Sequence, residues 1–168
     1  MLKYFFLFLF FSLINTTVSK STETIAFVDI SFIINNSNSG KTVLKKIDDL
    51  KNKSIEDLKK KEKIINEKDI KLNSQKKILS EEDFNLKLSN LKKEISEYNL
   101  DRKKVINEFE LNKKKALDEL LVKITPIIEE YMSENSISII FNKNDIFIGN
   151  TKYNISQNIL KLVNQKIN

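Results

Sequence analysis

The sequence predicts an α+β fold: a long antiparallel helical hairpin, a coiled-coil arm, projecting from a small β-rich body formed by both ends of the chain. Three observations predict it. Residues 41–134 form a charged stretch without glycine in which apolar residues recur at helical spacing. Ser80-Glu81-Glu82-Asp83 reads as a fresh helix start inside that stretch. Short β-branched apolar runs stand on either side of it. The chain divides accordingly into residues 1–19, a signal peptide; 20–40 and 135–168, a β-rich oligomerisation body; and 41–134, the arm, with its tip near 73–80.

The first residues read as a secretory leader. Met1-Leu2-Lys3 is a short positive start, and Tyr4-Phe5-Phe6-Leu7-Phe8-Leu9-Phe10-Phe11 opens an apolar run. Thr17-Val18-Ser19 places small residues where a signal peptidase reads them, so cleavage is expected between Ser19 and Lys20, with the bond after Ser21 as the alternative. The run falls short of the roughly 20 apolar residues a membrane-spanning helix needs. An uncleaved membrane anchor is the alternative.

Ile25-Ala26-Phe27-Val28 has the composition of a buried strand, and Ser31-Phe32-Ile33-Ile34 of one helical turn. Asn35-Asn36-Ser37-Asn38-Ser39-Gly40 reads as a loop, with Gly40 free to take a left-handed conformation. The first arm helix follows. Leu44, Leu58, Ile65, Leu72 and Leu79 are separated by multiples of seven, and Val43, Leu50, Ile64 and Ile78 flank them. At 1.5 Å per residue, residues 41–78 span about 55–60 Å. Ser80 then caps a second helix whose first three residues are acidic and meet the positive end of its dipole. That start implies a reversal just before it, near Asn73 to Leu79, with Leu79 and Ser80 expected at the arm tip. The second helix carries a seam in steps of four and three: Phe84, Leu88, Leu91, Ile95, Tyr98, Val105 and Phe109, resuming at Leu117. An ordinary amphipathic helix on a globular core is the alternative. Pro126 removes a backbone donor, so a kink or a break is expected there.

The last third returns to strand-like composition. Ser136-Ile137-Ser138-Ile139-Ile140-Phe141 is a strand, Asn142-Lys143-Asn144-Asp145 a turn, and Ile146-Phe147-Ile148-Gly149 the returning strand of a hairpin. Ile159, Leu160 and Val163 mark a short closing helix capped by Asn154 or Ser156. About three strands and so little helix cannot close a good core alone, so the body is expected to oligomerise. Its contact residues are expected among Ile25, Phe27, Val28, Ile139, Ile140 and Phe141. The arm seam is expected at Leu58, Ile65, Leu72, Leu88, Leu91, Ile95, Val105 and Phe109.

Composition closes most routes to enzyme chemistry. The 168 residues include 0 Cys and 0 His, which excludes disulfides, thiolate chemistry and His-based triads or zinc sites. With Gly 2 and Pro 1 there is no phosphate-cradling loop, so neither a cofactor nor an enzymatic activity is expected. Net charge is +6, nearly all of it from lysine, since Arg102 is the single arginine. Such a chain is drawn to anionic lipid, lipopolysaccharide or acidic polypeptides, or simply covers helix faces with solvated lysines. Nucleic acid is not expected, because arginine is the usual base-reading residue.

Taken in order, these segments resemble the Skp (OmpH-like) family of periplasmic chaperones. The resemblance rests on Ile25-Ala26-Phe27-Val28-Asp29, then Ser39-Gly40-Lys41, Leu79-Ser80-Glu81-Glu82-Asp83 at the tip, and Ile139-Ile140-Phe141-Asn142-Lys143-Asn144 near the end. Asn154-Ile155-Ser156 stands where the family usually has an acid and a threonine; both replacements keep a capping side chain. The resemblance implies a periplasmic homotrimer whose arms enclose a cavity and hold unfolded outer-membrane proteins without ATP. It also implies contact with anionic lipid or lipopolysaccharide, for which no particular lysine is assigned. An exported tethering coiled coil without clients is the rival, distinguished by its lack of need for a split β body.

Overall fold

The computed structural model describes residues 24–167. The signal peptide and the junction between Ser19 and Lys20 lie outside the described residues.

Strand β1, Thr24–Val28, ends at Asp29, whose Oδ1 accepts a hydrogen bond from the Phe32 N–H at 2.8 Å. This caps helix α1, Ile30–Asn36, two turns where one was expected. The expected loop after it is absent. Ser37 alone separates α1 from helix α2, Asn38–Ser74: its N–H donates to the Ile33 carbonyl at 2.9 Å and its Oγ accepts from the Gly40 N–H at 3.0 Å. Gly40 sits inside α2, and no glycine among the described residues has a positive φ. Its use is close approach: a Cβ there would lie 1.9 Å from the Ile34 carbonyl oxygen. The missing side chain, not a left-handed turn, lets α1 and α2 fold against each other.

Helix α2 runs 37 residues, about 55 Å. A tight reversal follows, and Ser80 then caps helix α3, Glu81–Glu134, by accepting from the Asp83 N–H at 3.2 Å. The Asp83 carboxylate accepts from the Ser80 hydroxyl at 2.7 Å, so the reciprocal bond of a capping box is absent. Acids at 81, 82 and 83 supply the dipole complement. Helix α3 continues through Pro126, so the chain neither ends nor restarts a helix there. The carbonyl deprived of its donor belongs to Val122, on the wet side of the helix where water can bind it. Ser136, at φ 51°, terminates α3 in a left-handed residue and sends the chain directly into strand β2, Ile137–Asn142.

Strand β2 pairs in parallel with β1, aligning Ile25 with Ile139, Ala26 with Ile140 and Phe27 with Phe141. The expected hairpin is therefore corrected: Ile146-Phe147-Ile148-Gly149 forms no strand, and single 3-10 turns occupy Lys143–Asp145 and Thr151–Tyr153. Asparagine explains this. The side chains of Asn142, Asn150 and Asn154 each accept from the N–H two residues on, at 3.2, 3.0 and 3.0 Å. Local side-chain bonds thus take donors that a ladder would use. On the second edge of β1, the Phe27 carbonyl accepts from the Ile155 N–H at 3.0 Å, and a single bridge joins Phe27 to Asn154. Helix α4, Ser156–Lys166, closes the body. Its first-turn donor at Ser156 is served by Asn154, while Ser156 is turned to another partner described below.

The core gathers where the inner sheet face, α1, α4 and the root of α3 meet. It comprises Ala26, Val28, Ile33, Leu120, Ile124, Ile127, Ile137, Ile155, Ile159 and Val163. Ile33, Ile124, Ile159 and Val163 are completely buried. The arm is thus rooted in the body by the last turns of α3, which supply three of these side chains.

Candidate functional site

Three surfaces are built on this frame. The first is the arm seam. Leu72 and Leu91 are buried; Leu58, Ile65, Leu88, Val105 and Phe109 are half-buried between α2 and α3. Ile95 is 36 % exposed and lies at the seam's margin. Beside it Glu94 crosses to Lys68 at 2.6 Å, and seven residues farther along α3 Asp101 crosses to Lys61. Seven residues toward the body on α2 match seven toward the body on α3, so these pairs fix the antiparallel register. At the surface they add little stability. The hydrogen bond to Asp101 raises the pKa of Lys61. Ile64 and Ile78, expected on the seam face, are exposed. At the tip Leu79 is half-buried and Ser80 is exposed as the cap.

The second surface is the outer face of the sheet. Ile25, Phe27, Ile139 and Phe141 point outward by strand alternation. Ile139 and Phe141 are each 44 % exposed. Phe27 is covered, because the Gly149 backbone lies against its ring. Ile25, Phe141, Ile146, Ile148 and Tyr153 line a groove of about 530 Å³ on this face, and Phe147 beside it is fully exposed. Val28 and Ile140, expected at a contact between copies, instead face the protomer's own core. The parallel register puts them on the opposite side from Ile139 and Phe141.

A polar latch joins these surfaces to the core. The Asp29 N–H donates to Ser156 Oγ at 2.8 Å, and that hydroxyl donates to Asn154 Oδ1 at 2.6 Å. Asp29 Oδ2 accepts from Lys143 Nζ at 3.0 Å. The Phe32 N–H, and then Lys143, lower the Asp29 pKa below its ordinary value. A depressed carboxylate contributes stability that is present above the ordinary range and is lost as pH falls through the folded value. Asp29→Asn keeps a capping side chain but loses the ion pair with Lys143, so it is expected to cost no more than about 1 kcal/mol at neutral pH and to flatten the loss of stability below about pH 4. Denaturant melts of both proteins between neutral and acid pH measure this; parallel curves for the two would contradict it.

Among the described residues no group of three or more acidic side chains is placed to hold a metal ion, and no helix is long and apolar enough to cross a membrane. Asp29 serves as a helix cap and ion-pair partner.

The third surface was missed by the reading of seams. Residues 91–101, 102–112 and 113–123 of α3 are an internal repeat. Lys92, Lys103 and Lys114 correspond, as do Lys93, Lys104 and Lys115; Glu97, Glu108 and Glu119; Tyr98, Phe109 and Leu120; and Leu100, Leu111 and Val122. Eleven residues make just over three full helical turns, so each set forms a nearly straight line along α3. The line of Tyr98, Phe109 and Leu120 faces α2 or the core. Leu100, Leu111 and Val122 lie on the far side and are 65 %, 67 % and 71 % exposed. Self-comparison at an 11-residue offset is the signal that finds them.

A family profile described as Outer membrane protein (OmpH-like) matches residues 24–163. Among solved structures, the chain is similar to one described as an OmpH-like outer membrane chaperone from Caulobacter crescentus CB15. The TM-score is 0.75 at 12 % identity, over 86 % of each chain, a likeness of fold. No curated protein sequence matches the chain.

Proposed function

Because the chain belongs to the OmpH-like outer membrane protein family, we propose that it is an ATP-independent periplasmic holdase for unfolded outer-membrane proteins. In this reading the signal peptide is removed on export, three copies join through their bodies, and the arms enclose a cavity that keeps a client soluble until insertion. The observation that carries it is the outer sheet face. A two-stranded sheet with Ile25, Ile139 and Phe141 open to water is half a structure, and a second copy is its natural cover. The arms are then held apart at one end and free at the other.

The chemistry of capture follows. Unfolded barrel proteins are often acidic and carry alternating apolar residues. The full chain has 29 basic against 23 acidic side chains, of which only Lys3 leaves with the leader, so the cage stays basic and raises their local concentration by long-range attraction. Many weak apolar contacts then hold the client without freezing it, so it keeps most of its chain entropy. The same charge draws the protein toward anionic lipid or lipopolysaccharide. No step needs a nucleotide or a cofactor.

Light scattering on the mature protein tests this reading. Three copies are expected in solution, and one trimer should suppress the aggregation of one denatured barrel protein. The double substitution Ile139→Asp with Phe141→Asp should reduce the mass to one copy. It should also remove holdase activity while helical content stays, since both side chains point away from the protomer core. A trimer that survives the double substitution would place the interface elsewhere. A trimer that leaves aggregation unchanged would make the protein a tether.

A further inference from the structure

The 11-residue repeat of α3 exposes a ladder whose spacing selects its occupant. Leu100, Leu111 and Val122 stand on one line, about 16–17 Å apart. Lys104 approaches Glu108 at 3.9 Å between Leu100 and Leu111, and Lys93 approaches Glu97 at 4.0 Å just before Leu100. Each apolar side chain is therefore an island within charged surface. A partner helix needs an apolar contact about every 3.5 residues to form a dry seam, and one contact in eleven does not supply it. A folded partner needs a continuous patch with a desolvated centre, which these islands also lack. An extended, flexible polypeptide can place one apolar side chain on each island and cross the charged gaps in contact with water.

Charge completes the argument. Lys92 and Lys103, one at the same position of each of the first two repeats, form no ion pair among the described residues, while Lys114 of the third is held by Asp118. Free ammonium groups thus flank the outer two-thirds of the ladder, with the remaining one nearer the body engaged. An occupant bearing carboxylates is favoured along that length.

We propose that Leu100, Leu111 and Val122, with Lys92 and Lys103 beside them, bind unfolded acidic polypeptide as a repeated series of equivalent weak sites. The inference rests on the holdase reading and deepens it by naming where on the arm the client lies. Equivalent sites let one client segment step from rung to rung without full release, so a bound chain stays mobile.

The test uses the full mature protein, the triple variant Leu100→Ser, Leu111→Ser and Val122→Ser, and a urea-unfolded acidic β-barrel outer-membrane protein as probe. The three side chains are exposed, so helical content and assembled mass should be unchanged. The dissociation constant for the probe should rise about tenfold or more. The double variant Lys92→Gln and Lys103→Gln should weaken binding at low salt and match the unaltered protein at high salt. Unchanged affinity in the triple variant, with the unaltered protein still binding, overturns the ladder and leaves the holdase reading intact. A fall in assembled mass also overturns it, by making the stripe a contact between copies. Failure of the unaltered protein to bind the probe overturns both.

Discussion

Replacing Ile159 with Asp is expected to abolish cooperative unfolding at neutral pH. Ile159 is completely buried on α4, within the cluster that includes Ala26, Val28, Ile33, Ile124 and Val163. A carboxylate there has no cation to pair with and no route to water. Burying an uncompensated charge costs several kcal/mol, a large share of the roughly 5–15 kcal/mol that holds a typical domain together. The same cluster anchors the root of α3, so loss of the body should release the arm. Ile159→Val, which keeps the shape, should cost only about 1 kcal/mol. Val122→Asp, the same chemistry on the exposed side of α3, should change folding by less than about 0.5 kcal/mol. Thermal melts followed by circular dichroism separate the three, and a cooperative melt for Ile159→Asp would mean that the core lies elsewhere.

Gly40→Ala is the second large effect, and its sign opposes helix propensity. Alanine in a helix interior is favoured over glycine by about 1 kcal/mol. Here the new Cβ would stand 1.9 Å from the Ile34 carbonyl oxygen and 2.7 Å from its carbon. Both are backbone atoms, so no side-chain rotation relieves the clash; α1 and α2 must separate. A net loss of about 2–4 kcal/mol is expected. Gly149→Ala is the control. Its Cβ would meet Ile146 Cγ2 and Phe27 Cε1 at 3.4 Å, near ordinary contact, so a change within about 1 kcal/mol is expected. Denaturant midpoints of the two variants decide the matter; equal midpoints would remove close approach as the reason for glycine at position 40.

What could be read from sequence followed the range of the interactions involved. The hairpin was legible because Ser80 and the acids after it are local chemistry, and because the steps from Phe84 to Phe109 repeat often enough to exclude chance. The partner of β2 was not. Parallel pairing with β1 leaves no turn signal, because its connection is the whole arm. Ile146 and Ile148 misled for a related reason. An apolar alternation looks the same in a strand and in a loop that packs on a sheet's outer face. Gly40 misled because a glycine needed for proximity and one needed for a left-handed turn are the same letter. Among the residues expected at a contact between copies, alternation along β2 separates Ile139 and Phe141 from Ile140, but which set faces the core depends on α4, far away in sequence. The ladder escaped because attention to the seam in steps of three and four hides a longer period on the opposite face.

The parallel pairing of β1 with β2 has a consequence for the order of assembly. The hairpin can zip from its reversal at Ser80 inward, each contact closing a short loop. β1 can do nothing until the entire excursion has been made and β2 arrives beside it. A polypeptide threaded N-terminus first therefore delivers its opening strand early and keeps it idle, an uncovered apolar segment awaiting its mate. The slow event in maturation is expected to be this late docking of the two ends, because the strands that must meet are separated in sequence by the whole length of the arm.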